Sequence, residues 1–245
     1  MGIKYRSEDL IATIVIDRPE AHNAFDDALT EELVDAWARF DASEDRVAII
    51  TGGESRHFTV GADLKHMPAD VWRAVPGMVS PIRKPVIAVI QGYCIGVGVA
   101  IVQACDMCVA RVGAKLLYSE PKVGLAYGLI TGLAARVPHK FAMEMMLCGK
   151  EIDAERAERM GLVNALAPAG TELEIAMGMA REIAKAAPLV IAWLKQGVDG
   201  GVLPDGPTAE ALRTMTSIGR MQKSRDFAEG LAAFVGKRPP VFQGR

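Results

Sequence analysis

The sequence predicts an α/β protein, with a core of alternating strands and helices followed by a C-terminal region of helices. Three observations predict it. Strand-like apolar runs alternate with amphipathic stretches through the first two thirds of the 245 residues. The run "VIAVI" (86–90) is apolar throughout, as a strand covered on both faces of a parallel sheet should be. From about Phe141 onward nearly everything carries helical periodicity.

Taken in order, "LIATIVI" (10–16) and "VAII" (47–50) read as strands. Between them, "DDALTEELVDAWARF" repeats Leu29, Leu33, Trp37 and Phe40 on one helix face. After "VIAVI" a helix is expected from about Val97 to Cys105, then short strands at "MCVA" (107–110) and "KLLY" (115–118). The later helices are "AERAERMG", "TELEIAMGMAREIAKAA", "LVIAWLKQGV", "TAEALRTMTSIGRMQ" and "DFAEGLAAFV". Thr171 and Glu174 have capping-box spacing, and Pro188 is expected to end that helix. Gly236 and Pro239 close the last one. Such a tail must bury its apolar faces on its own core or on a neighbouring subunit, so an oligomer is expected.

Composition excludes several classes. No apolar run reaches the roughly 18 residues of a membrane span. The N-terminal "MGIKYRSEDL" lacks the apolar stretch of a signal peptide, and a cytoplasmic, soluble protein is expected. A net charge of −2 with scattered Lys and Arg argues against nucleic acid. Cys94, Cys105, Cys108 and Cys148 do not resemble a disulfide framework. The lone Cys105-x-x-Cys108 has no further His or Cys nearby, so core cysteines are expected and no metal.

Gly92, Gly96 and Gly98 sit where the strand-like run "VIAVI" gives way to a helix. Free N–H groups and the positive helix end at such a junction suit an anion or a developing oxyanion. A dinucleotide fingerprint fits Gly96-Val97-Gly98, with Glu120 further on, but Ile101 stands where the third glycine belongs. A hydrolase reading finds no G-x-S-x-G, and Cys94 has no adjacent His. A second glycine-supported loop, "RHFTVGADL" (56–64), also follows a strand. Two such loops can each donate one N–H to the same oxygen, which is an oxyanion hole.

At this point the chain resembles the crotonase, or enoyl-CoA hydratase/isomerase, superfamily. The resemblance is carried by "IDRPEAHNAF" (16–25), "FTVGADL", "KPVIAVIQGYCIGVGVAIVQACD" (84–106) and "AKLLYSEPKVGL" (114–125), with "AERAERMGLVNAL" and "FVGKRPPVFQGR" in the same order. It implies a spiral of ββα units over residues 1–190 and a helical trimerisation region over 191–245, assembled as a homotrimer or homohexamer. It implies an acyl-CoA thioester substrate and no cofactor, since CoA arrives with the substrate. By match to the motifs, the N–H groups of Ala62 and Val97 would hold the thioester oxygen. Ala24, Asp63, Leu64, Gly96, Tyr127 and Gly128 would line the substrate site.

The sequence departs from the family where the chemistry is decided. The middle glycine of the central motif is Val97, and Tyr127 replaces the usual proline of a glycine-rich segment. The first hydratase glutamate falls on Ala100, and the second is present as Glu120. One carboxylate beside an oxyanion hole can take a proton at one carbon and return it at another, which favours double-bond isomerisation. Hydration, acyl-CoA decarboxylation by other polar groups and a catalytically inactive acyl-CoA-binding homologue stay open. Glu120 could instead pair with Lys122 or Lys140. His66 reads as a surface residue, Asp63 as a loop-fixing one and Asp106 as a buried turn or cap. Lys237 and Arg238 are candidates for the CoA phosphates or for simple solvation.

Overall fold

Consecutive residues of a strand point to opposite faces, so a strand buried along its whole length needs cover on both sides. Val47–Thr51 and Val86–Ile90 are buried at every position. They form the centre of a six-stranded sheet in the computed structural model, which describes residues 2–125, 130–202, 223 and 225–241. The sheet order is β1 (Ile3–Glu8), β2 (Ile11–Ile16), β3 (Val47–Thr51), β4 (Val86–Ile90), β6 (Met107–Arg111) and β9 (Ala165–Ala167). Strands β1 and β2 form an antiparallel pair, and every other pairing in the sheet is parallel.

Each face has its own apolar cover. On one, Ile14, Ile50, Ile90 and Ala110 meet helices α1 (Asp27–Ala42) and α2 (Val97–Ala104). Leu29, Leu33, Trp37 and Phe40 of α1 are buried together, and Asp26 caps the helix by accepting from Leu29 N at 2.8 Å. On the other, Ile49, Ile87, Val89 and Val109 pack on Ala176 and Ala180 of α5 (Glu172–Lys185). Three short strands, β5 (Tyr93–Ile95), β7 (Lys115–Leu117) and β8 (Ile152–Asp153), form a second sheet. Helices α3 (His139–Cys148), α4 (Ala154–Arg159), α6 (Pro188–Val202) and α7 (Arg225–Val235) complete the described elements. No helix among the described residues is long and apolar enough to cross a membrane.

Some local expectations are corrected. β8 and β9 interrupt the region expected to be helical after Phe141. They are too short for periodicity to register, and only pairing with β7 and β6 defines them. The capping box does not form. Thr171 lies in helical φ/ψ rather than an extended cap conformation, its hydroxyl donates to Pro168 O, and Gly170 N donates to Glu172. Helix α5 has already ended at Lys185, so Pro188 opens α6, where a first-turn proline loses no hydrogen bond. Asp106 is half-exposed rather than buried, although it does cap a backbone group, accepting from Val86 N and from Lys195. The helix expected in "TAEALRTMTSIGRMQ" lies outside the described residues. Residue 190, where the core was divided from the oligomerisation region, falls in the first turn of α6.

Candidate active site

Three extended segments lie side by side at one end of the second sheet. Phe25 bridges Ala62, Thr59 bridges Cys94, and β5 pairs in parallel with β7, Ile95 opposite Leu117. This pairing sets the loop before Ala62, the start of α2 and the chain just before Glu120 around one cleft of about 820 Å³. Its lining includes Gly61, Ala62, Gly96, Val97, Leu117 and Glu120.

Gly96 makes the junction possible. Its φ of +55° and ψ of −112° belong to a region that side chains disfavour, and a Cβ there would lie 3.9 Å from both Glu120 Oε1 and Gly61 Cα. Two residues on, a Cβ on Gly98 would overlap Thr59, so glycine lets α2 sit against the neighbouring loop.

Two backbone amides at the cleft have no hydrogen-bond partner among the described residues, and each is free for a different reason. Val97 is the first residue of α2, where N–H groups have no intrahelical acceptor. Ala62 is freed by the sheet. Phe25 N donates to Gly61 O at 2.8 Å and Asp63 N donates to Phe25 O at 2.7 Å, so Ala62's own N–H turns away from Phe25. Val97 being valine does not remove its donor, because the special backbone conformation falls on Gly96 instead.

Glu120 opens a short 3₁₀ turn, Glu120–Lys122, which follows β7 after Tyr118 and Ser119. Its side chain is buried, and Oε2 has no hydrogen-bond partner. Burial pushes the carboxyl up to about 8. Pairing with Lys122 or Lys140 is not observed. Ala100 lies one turn into α2, buried in the apolar core. The described residues therefore place a buried carboxylate with one unpartnered oxygen beside the two amides.

Ala24, Asp63 and Leu64 line the same cleft. Asp63 fixes its loop as expected. It accepts from Lys65 N and His66 N, and Arg18 reaches its other oxygen at 3.2 Å. Burial alone would raise the Asp63 carboxyl, but those bonds outweigh it and hold it below the usual range. His66 is a surface side chain, 75% exposed. Arg238 is committed to Glu229 through a two-pronged pair at 2.6 and 2.8 Å. Tyr127 and Gly128 lie outside the described residues. Cys94, Cys105 and Cys108 are buried in the core, their thiols pushed up by burial. Sequence reading missed Arg18 and Asn23. The buried Asn23 accepts from Arg18 N and donates to His57 O and Phe58 O, locking the 18–25 segment against the next loop. Their signal was the quoted "DRPEAHNAF", but nothing in its spacing shows long-range partners.

Residues 6–245 match the sequence pattern of enoyl-CoA hydratase/isomerase. The chain belongs to this family. Its relatives include an (E)-benzylidenesuccinyl-CoA hydratase of Thauera aromatica, 34% identical over all of both chains. A carnitinyl-CoA dehydratase of Citrobacter koseri is 33% identical over 96% of this chain and 95% of its own. Among solved structures, an enoyl-CoA hydratase/isomerase from Pseudoalteromonas atlantica superposes with a TM-score of 0.90 at 26% identity, covering 99% of this chain and 100% of that one. A carnitinyl-CoA hydratase from Mycobacterium avium gives 0.89 at 31%, covering 100% and 99%. The α/β architecture is thus that of the crotonase-like fold, and the enoyl-CoA hydratase/isomerase family is a family of enzymes.

Proposed function

We propose that this enzyme binds an acyl-CoA thioester and moves a proton between two carbons of its acyl chain, an enoyl-CoA isomerase-type reaction. The observation that carries the reading is the buried carboxylate of Glu120, one of its oxygens unpartnered, beside two partnerless amides. The thioester oxygen sits at the N–H groups of Ala62 and Val97, which stabilise the enolate as charge develops on it. Glu120 in its charged form removes a proton from the carbon next to the thioester carbonyl. The enolate delocalises through the adjacent double bond, and the protonated Glu120 returns the proton further along the chain. Atoms and charge balance without any other co-reactant. CoA enters and leaves as part of the substrate, so no separate cofactor is assigned.

Hydration is the second reading, favoured by the hydratase and dehydratase names of the relatives. It would require Glu120 to orient and deprotonate water without the first hydratase glutamate, whose motif position is Ala100 in this chain. A panel of 2-enoyl, 3-enoyl and malonyl-type CoA thioesters, with products read by mass spectrometry, separates the readings. Conversion of the 3-enoyl to the 2-enoyl thioester ahead of any addition of water is the expected result. Faster water addition to the 2-enoyl thioester would replace isomerisation by hydration. For the assembly, we assign the exposed face of α6, with Leu189, Val190, Trp193 and Leu194, to contact between subunits of a trimer or hexamer.

A further inference from the structure

One side chain holds the chain on both sides of the Ala62 amide. Arg18 Nη1 donates to Ala24 O at 2.8 Å and to Asp63 Oδ2 at 3.2 Å, while Nη2 lies 3.0 Å from Asp26 Oδ2. Ala24 precedes Phe25, the residue that bonds Gly61 O and Asp63 N across Ala62. Asp63 follows Ala62 directly, and Asp26 is the N-cap of α1. The guanidinium therefore ties the segment that bridges Ala62, the loop that contains Ala62 and the N-terminus of the amphipathic α1 into one unit. Its side chain is 19% exposed and its partners are split among three directions. Only a planar fork with several donors can serve all three, and a lysine ammonium cannot.

We propose that Arg18 is a positioning residue that sets the Ala62 N–H at the distance and angle an oxyanion requires. This rests on the reading of Ala62 as an oxyanion donor. Such donors act only within a few tenths of an ångström of 2.7–3.1 Å from the developing charge. Ahead of Ala62 the loop is held to the facing segment by Val60 N on His22 O and Thr59 Oγ1 on Asn23 O as well as by Phe25 N on Gly61 O. Beyond Ala62 it is held to that segment by Asp63 N on Phe25 O, and Arg18, bonded to both Ala24 O and Asp63, adds a side-chain tether on this side. Arg18 touches no reacting atom itself. Its effect appears in how strongly the bound carbonyl is polarised, more than in how tightly the thioester binds.

The test uses the intact protein with a cinnamoyl-type CoA thioester, whose conjugated carbonyl shifts its ultraviolet absorption when polarised. The native enzyme should red-shift the bound chromophore. Arg18→Lys should bind it with near-native affinity, lose most of the shift, and lower kcat roughly 10- to 100-fold. Asp63→Asn, which removes one tether and keeps the side-chain shape, covers the case of an unfolded Arg18 variant and should lose part of the shift. The double variant should be no worse than Arg18→Lys alone, since both act on one tether. Variants that melt earlier but keep the full shift and native kcat per folded molecule would reduce Arg18 to a structural role and overturn the proposal. A native enzyme with no red shift would instead remove the oxyanion reading beneath it.

Discussion

Helix α2 and the turn at Glu120 face the same cleft, yet they bring opposite things to it. In α2, every residue from Val97 to Gln103 is buried, and its helical stretch carries no acidic side chain. What the helix offers the cleft is a backbone donor. The turn at Glu120 offers a charge-bearing side chain, buried with one oxygen unpartnered, at a cost the fold must carry. On the proposed reaction the difference is a division of labour: stabilisation of charge on one wall, movement of the proton on the other. An acid on both walls could cradle water between them, whereas α2 of this chain brings none.

Breaking the proton-moving wall should have the largest effect. Glu120→Gln keeps shape and hydrogen bonding but cannot accept a proton, so turnover should fall by roughly 10²–10⁴ with thioester affinity retained. Steady-state kinetics and calorimetric binding check both halves. The same variant should be more stable than the native enzyme at alkaline pH. The folded state holds the Glu120 proton up to about pH 8, while an unfolded Glu loses it near 4.5. Between those values the folded state binds more protons, so native stability falls as pH rises, by roughly 4–5 kcal/mol once both forms are ionised. Denaturant unfolding at pH 5 and pH 9 should show that slope reduced in the variant.

Breaking the stabilising wall should cost somewhat less. Phe25 bonds Gly61 O and Asp63 N, so Ala62→Pro removes the free N–H and spares the bridge. Loss of one donor should lower kcat by about 10²–10³. Unchanged kcat in a folded Ala62→Pro protein would remove Ala62 from the site. The smallest and sharpest change makes the walls alike. Ala100→Glu should raise the ratio of hydration to isomerisation, and because Ala100 is fully packed it should also destabilise the fold by about 1–3 kcal/mol. Product ratios on the 2-enoyl and 3-enoyl thioesters measure the first effect and thermal melts the second.

The two walls also differ in how far the sequence discloses them. The Val97 donor is a local event, strand then glycine then helix, and "VIAVIQGYCIGVGVAI" states it outright. Glu120 was legible only through the motif around it, since a lone Glu carries no sign of burial. Gly61 marks the loop that carries the Ala62 amide, but what frees that amide is a bridge to Phe25, far back in the chain. That bridge, the Arg18 fork and the Asn23 lock are long-range contacts with no period to detect. The same holds for the fold. Strands β3 and β4, buried throughout, and the amphipathic α1 could be read directly. The charged edge strand β1 and the short β5, β8 and β9 exist through their partners and could not.

The central claim, that Glu120 starts the reaction by taking a proton, is tested most directly by the pH dependence of kcat/KM for isomerisation of a 3-enoyl-CoA. That ratio reports ionisation in the free enzyme. With the carboxyl raised to about 8, only the small ionised fraction acts at neutral pH. The logarithm of kcat/KM should therefore climb with a slope of one from pH 6 and level off near pH 8, and the residual activity of Glu120→Gln should lack that climb. A profile that is flat across this range, or that falls as pH rises through 8, would contradict the account.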